Sequence, residues 1–300
     1  IHLNERGMFQ AAAVARRLGR PVIMHARSIA DHQNFLVNFL EARFASCIDR
    51  VVCIDTCVYR SLSTVPPKEI VYNPLPHSPA SANSFEKPQT RIVVTFLAGL
   101  MVYKGVWDLL EAARILRHRT DIEFRLYGGN PRPREFYSTC TGRICTRLGL
   151  TTDLERDVQD WIDRQGLEAT VRMFGNVVPD ESLFRNTDIL AFPSHLNGIG
   201  RSVFEAGVSG VPAVVTMSKR VEDIVQHEVT GLITSPKNPA ALAEAIERLA
   251  DDGALRRRMG HAAMAQYSAQ FDPERLAAQI VDHDVLAERR LSRTPAKVAV

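Results

Sequence analysis

The chain has 300 residues, 45% of them hydrophobic and 24% charged, with a formal net charge of +3. That balance fits a globular protein of one large domain or two ordinary ones, and the charge is too small to argue for a nucleic-acid partner. No apolar run reaches the ~18 residues that a membrane-spanning helix needs.

Helix and strand signals alternate from end to end, which predicts an α/β protein with parallel sheets. The chain opens on Ile1 rather than Met, at what reads as a strand end, so an N-terminally truncated chain is expected. Met8–Leu18 is an Ala-rich helix closed by Gly19 and Pro21. Val22–Met24 is a strand ending at His25, Phe35–Phe44 a helix, and Val51–Ile54 and Ile70–Tyr72 are strands. Asn73–Gln89 is rich in Pro, Ser and Asn without periodicity and reads as an interdomain linker. A second α/β unit starts at Arg91. Ile92–Leu97 is a continuous apolar strand of the kind covered on both faces. Val106–His118 follows as a helix, then the strand Glu123–Tyr127, stopped by Gly128 and Gly129. Pro131–Leu150 reads as an irregular basic insertion. Beyond it come the helix Leu154–Gln165, the strand Val171–Phe174, the short helix Glu181–Arg185 and the strand Asp188–Phe192. A helix from Arg201 ends at Gly210, and a strand follows to Thr216. Gly231–Ile233 is a late strand. The helices Pro239–Ala250, Ala254–Gln270 and Pro273–Arg289 close the chain. The predicted domains are 1–80, a linker at 81–90, 91–272, and a C-terminal helix and tail at 273–300.

Ligands in open α/β sheets sit at the carboxyl ends of strands. His25, Ala98–Lys104, Gly128–Gly129, Gly175 and His195–Gly200 all fall at such predicted ends. Gly198, Ile199, Gly200 and Arg201 open a helix, whose unpaired N–H groups and dipole favour an anion. A plain strand–helix turn is the alternative. Glu205, in the first turns of that helix, can accept hydrogen bonds from sugar hydroxyls. Lys104 suits a diphosphate, whose charge it would stabilise on a leaving group; a solvated lysine is the alternative. His25 reads equally as a sugar-positioning group and as a structural histidine. Lys219 and Arg220 are either a phosphate or acceptor contact or an exposed basic turn. Arg125, Arg132, Arg134, Arg143 and Arg147 make the insertion region basic. A solvated face is the simpler reading there, and phosphate-bearing headgroups or a membrane surface the functional one. The five cysteines have neither disulfide nor metal-ligand spacing and read as free thiols in a reducing cytoplasm.

The stretches LMVYKGVWDLLEAA, LEATVRMFGNVVPDESLFRNTDILAFPS and SVFEAGVSGVPAVVT, followed by VTGLITSPKNPAALAEAI, together resemble the retaining glycosyltransferases of family 4. The resemblance covers nearly the whole chain and is strongest from Arg91 to Phe271. It implies two facing Rossmann-like domains, the GT-B fold, with the N-terminal domain truncated by about half relative to the family. It also implies an NDP-sugar donor, a lipid-linked or glycan acceptor, retention of anomeric configuration, and no metal or other cofactor. With the free thiols and the basic insertion, a cytoplasmic protein, peripheral on the inner face of a membrane, is expected. Lys104 takes the place of the family's diphosphate-binding lysine, His25 that of its active-site histidine, and Glu205 that of a ribose-binding carboxylate. Gly198–Gly200 matches the backbone that holds phosphate and sugar, and Gly128 and Met173 border the nucleobase. Three departures stand out. Asn197 replaces the first carboxylate of the family's Glu-x7-Glu motif, Gly99 replaces an arginine, and Lys219 and Arg220 replace a glycine pair. Asn197 can hydrogen-bond a sugar hydroxyl but carries no charge. A donor-binding protein without catalysis, or a sugar-nucleotide epimerase of similar architecture, are the competing readings.

Overall fold

The computed structural model describes residues 1–5, 7–29, 35–62, 66–75, 91–196, 198–218 and 224–292. The chain divides into two compact units, Ile1–His77 together with the chain from Ala269 onward, and Ser78–Ser268.

The first unit opens with β1 (His2–Leu3), α1 (Phe9–Arg17), β2 (Ile23–Ala26), α2 (Phe35–Phe44), β3 (Arg50–Cys53), α3 (Thr56–Ser61) and β4 (Lys68–Ile70). These strands form a parallel sheet in the order β1-β2-β3-β4. One set of core contacts joins Ala12 and Ala15 of α1 to Met24, Val51 and Val58. The short helix α3 has no apolar periodicity to announce it. It forms because Asp55 caps its start, the carboxylate accepting from Val58 N at 2.7 Å. The predicted strand Ile70–Tyr72 lies two residues earlier, at Lys68–Ile70. The predicted linker falls largely on 76–90, outside the described residues.

The second unit runs through β5 (Ile92–Leu97), α4 (Val106–Ile115), β6 (Ile122–Tyr127), α5 (Arg134–Ser138), α6 (Cys140–Arg147), α7 (Leu154–Gln165), β7 (Val171–Gly175), α8 (Glu181–Arg185), β8 (Ile189–Phe192), α9 (Arg201–Val208), β9 (Ala213–Thr216), β10 (Gly231–Thr234), α10 (Pro239–Asp251) and α11 (Gly253–Gln270). Its parallel sheet has the order β10-β9-β8-β5-β6-β7. The chain builds outward from β5 in one direction, then returns to β5 and builds outward in the other. That reversal places a topological switch point between β5 and β8. Val94, Phe96, Leu109, Leu110 and Phe124 sit in the core of this unit. Thr95, wholly buried in β5, meets its hydroxyl's needs with Thr187 at 2.8 Å. α7 starts on Asp153, whose side chain accepts from Arg156 N, and stops at Gly166 in the left-handed conformation.

The stretch expected to be an irregular insertion, Pro131–Leu150, is instead largely helical: α5 and α6 form a hairpin. Thr139 caps α6, accepting from Gly142 N at 3.0 Å. Flanking prolines and glycines, and the lack of a buried stripe, hide these short helices from a periodicity argument. The final helix, α12 (Pro273–Ser292), belongs to the first unit, a grouping absent from the sequence reading. Its Leu276 packs with Ile23, Val52 and Val71, and Phe271 meets Tyr72 edge-on at 5.2 Å. Among the described residues no helix is long and apolar enough to cross a membrane.

Candidate functional site

The loop after β5 carries Lys104. It makes a single 3-10 turn, Val102–Lys104, and passes into α4 through Gly105 at φ +78°. A Cβ on Gly105 would lie 1.8 Å from Pro193 O, so both the backbone conformation and the close approach require glycine. Pro193 begins the loop after β8, and the two loops are therefore in contact across the switch point.

Hydrogen bonds fix that contact. His195 N donates to Tyr103 O at 2.8 Å. The His195 ring reaches Asp108, in the first turn of α4, with Nε2 2.9 Å from Oδ2. A carboxylate only accepts, so Nε2 carries the proton. Thr216 at the end of β9 donates its hydroxyl to Ser194 O, and Ser194 is almost wholly buried. Three strand ends thus hold one loop.

The Lys104 ammonium lies 5.3 Å from the centre of the Phe192 ring and 5.7 Å from that of Tyr103. No described carboxylate pairs with it. Burial lowers its pKa below the ordinary lysine value, because the charged form loses hydration. Gly200 packs on the same Phe192 ring, with an added Cβ 2.6 Å from a ring carbon. It stands at the start of α9, where no side chain caps the free N–H groups. Gly198 and Ile199 precede it and are half-buried. Lys104 and the open end of α9 therefore both lie against one aromatic ring, a half-buried cation and a helix N-terminus sharing one neighbour. Glu205 lies one turn into α9 and accepts from Arg201 Nε at 2.7 Å.

Gly99 and Gly128 also meet. The loop after β6 crosses the loop after β5 so closely that a Cβ on Gly128 would fall 1.9 Å from Ala98 O and 3.4 Å from Gly99 Cα. Leu100 N donates to Gly129 O at 2.9 Å. Met173 lies farther out, on the edge strand β7, two strands from β5. It lines a hollow of about 320 Å³ with Glu155 and Gln159. Asn197, Lys219 and Arg220 lie outside the described residues.

His25 belongs to the other unit. Its strand extends one residue beyond it, so it sits inside β2 rather than at its end, and it is buried. Its Nε2 has no hydrogen-bond partner among the described residues, and its ring stacks on His2 with 6.1 Å between centres. Burial first, then the charges of Arg27 and His2, push its pKa down to about 4. It is a neutral imidazole at neutral pH.

The His195–Asp108 link and the Phe192 ring were not singled out from sequence. The partners of that link stand 87 residues apart, and an acidic residue in a first helical turn is already explained by the helix dipole. Among the described residues no group of three or more His, Cys, Asp or Glu side chains is placed to hold a metal ion.

Fold and site together define a parallel α/β protein of dinucleotide-binding topology, with a cation and an open helix start at its switch point. The family described as Glycosyl transferases group 1 matches residues 78–266, and the chain belongs to it. The D-inositol 3-phosphate glycosyltransferase of Corynebacterium urealyticum is 27% identical over 199 residues, which cover 65% of this chain and 43% of that protein. The glycogen synthase of Mycobacterium tuberculosis is 31% identical over 156 residues, covering 49% of this chain and 36% of that protein. The matched stretch thus spans less than half the length of either curated relative. The crystal structure of Anabaena HepE in complex with UDP-glucose superposes with a TM-score of 0.76 at 21% identity, covering 94% of this chain and 77% of that one. The sucrose-phosphate synthase of Thermosynechococcus elongatus superposes at 0.73 with 19% identity, covering 98% and 74%. These likenesses establish the two-unit α/β fold expected from the sequence.

Proposed function

We propose that the protein is a retaining glycosyltransferase that moves a hexose from a nucleoside-diphosphate sugar, with UDP as the nucleotide, to a lipid-linked or glycan acceptor. Its place is the cytoplasm, peripheral to the inner face of a membrane, in the synthesis of an envelope polysaccharide. The observation that carries this reading is the placement of both Lys104 and the uncapped start of α9 against the Phe192 ring. A diphosphate there meets one ammonium and the first N–H groups of a helix. As the bond from sugar to phosphate breaks, negative charge grows on the departing diphosphate, and donors of this kind would stabilise it. Because Lys104 is half-buried and has no described carboxylate beside it, its charge is stabilised most by an anionic ligand. The UDP-glucose complex of HepE supports the choice of donor, and the glycosyltransferase relatives support glycosyl transfer.

Other roles rest on the family resemblance. Glu205 accepts the ribose hydroxyls, and Gly99 and Gly128 with Met173 border the nucleotide. Asn197 hydrogen-bonds the transferred sugar, and Lys219 or Arg220 supplies the cation that Gly99 does not. His25 enters through its neutral, unpartnered Nε2, a group suited to hydrogen-bonding a sugar hydroxyl. The reaction proceeds without a metal cofactor.

The test is incubation of the full chain with a panel of UDP- and GDP-sugars and candidate acceptors. Release of nucleoside diphosphate together with an acceptor product of retained configuration is expected. Nucleotide binding without release points to a donor-binding protein, and a sugar altered while still on its nucleotide points to an epimerase; either overturns the transferase reading.

A further inference from the structure

The α5–α6 hairpin between β6 and α7 is built to a definite shape. A Cβ on Gly142, inside α6, would lie 1.9 Å from Phe136 O, so the two helices cross this closely only over glycine. The Arg132 guanidinium covers the Phe136 ring at 4.7 Å, and Phe136 meets Tyr137 edge-on.

Arg134, Arg143 and Arg147, with Arg156 of α7, line an open hollow of about 510 Å³ against Tyr137. Other arginines in this unit are paired, among them Arg119 with Asp121, Glu247 and Asp251, Arg125 with Glu123, and Arg248 with Glu228. Arg134, Arg143 and Arg147 pair with no described carboxylate. Asp153, the acidic residue in the wall, is engaged by Asn130 Nδ2 at 2.7 Å and by Arg156 N at 3.3 Å. Tyr137 is only 9% exposed, and its hydroxyl has no hydrogen-bond partner among the described residues.

The same hairpin exposes large aliphatic side chains. Ile144, Leu148 and Leu150 are 59%, 67% and 73% exposed. Ile144 and Leu148 follow one helical spacing, and Arg143 and Arg147 follow the adjacent one. Aliphatic side chains beside unpaired cations match a bilayer edge, where acyl chains lie just beneath phosphates. A small soluble phosphate would use the cations and leave the aliphatic row unexplained.

We propose that the α5–α6 hairpin is a docking surface for an anionic phospholipid bilayer, with Ile144, Leu148 and Leu150 entering the acyl boundary and Arg134, Arg143 and Arg147 meeting lipid phosphates. This specifies the peripheral membrane contact above, and it does not depend on the transfer chemistry.

The test is co-sedimentation of the full chain with vesicles of phosphatidylcholine, alone or mixed with phosphatidylglycerol. Binding to the mixed vesicles, weakened by salt, is expected. Each arginine near such a surface is worth about fivefold in partitioning, so Arg143→Glu with Arg147→Glu lowers binding by roughly 25-fold or more. Ile144→Ser with Leu148→Ser lowers it by roughly tenfold or more at unchanged charge. All four side chains are exposed or cap a helix end, and circular dichroism checks that the variants fold. UDP binding, measured on the same samples, is unchanged in both and reports separately on the donor site. Equal binding to neutral vesicles, no binding, or wild-type binding by the charge-reversed protein overturns the proposal. Saturable binding of inorganic pyrophosphate without vesicle binding also overturns it, and assigns the hollow to a soluble ligand.

Discussion

The β5–β8 switch point and the middle of β2 treat their polar groups in opposite ways. At the β5–β8 switch point the loops are bound to each other: His195 to Asp108 and Tyr103, Ser194 to Thr216, Gly105 against Pro193. Lys104 is the charge held in that frame. In the four-stranded sheet His25 lies inside its strand, buried and neutral, and its Nε2 is unmet. One region is preorganised by its own unit; the other keeps a hydrogen-bonding atom that its described surroundings leave free. Preorganised donors cost little reorganisation when charge develops, whereas an unmet buried nitrogen stays costly until something reaches it.

The largest effect that would break this contrast is expected from Gly105→Ala. A left-handed backbone costs a non-glycine residue about 1–2 kcal/mol, before the collision with Pro193 O is counted. The melting temperature should fall by several degrees and UDP binding should vanish, because both loops move. A variant that melts and binds like the wild type would show that the loops need no such contact.

Lys104→Ala comes next. Charge-assisted hydrogen bonds contribute about 1.5–3 kcal/mol, so UDP affinity should fall roughly 10- to 100-fold. Thermal stability of the free protein should hold or rise, since burial disfavours the lysine's charge. Affinity and stability falling together would make Lys104 a structural residue.

His25 supplies a pH test of the other sheet. Its folded pKa is about 4 against an ordinary 6.5, so the unfolded chain binds the extra proton between those values. Stability therefore rises with pH through that window and is lost as pH falls from 6.5 towards 4. Melting curves across the window should show this slope, and His25→Gln should flatten it. An unchanged slope in the variant would assign the loss to other groups.

The smallest effect is expected for Asp108→Asn. The His195 link loses its charged acceptor, worth about 1 kcal/mol, and UDP affinity should drop roughly fivefold. A loss as large as that of Lys104→Ala would move Asp108 from positioning the loop to contacting the ligand.

Much of this arrangement is legible in the sequence. Long apolar runs such as Ile92–Leu97 and capped amphipathic helices such as Leu154–Gln165 are read to the residue, because burial on both faces and a terminal Asp and Gly leave few alternatives. Strand ends mark where a ligand belongs, so Lys104, Gly200 and Glu205 can be singled out. Contacts between distant loops leave no spacing to find, and His195–Asp108 is of that kind. The α5–α6 hairpin fails for another reason: its helices are short, its aliphatic residues face outward, and its glycine serves a close crossing rather than a turn.

The central claim is that the β5–β8 switch point binds the diphosphate of a nucleotide sugar. Calorimetric titration of UDP into the full chain and into Lys104→Ala tests it most directly. The account predicts saturable binding by the wild type at one site per chain, weakened at least tenfold by the substitution. No binding by the wild type, or equal affinity in both proteins, would contradict it.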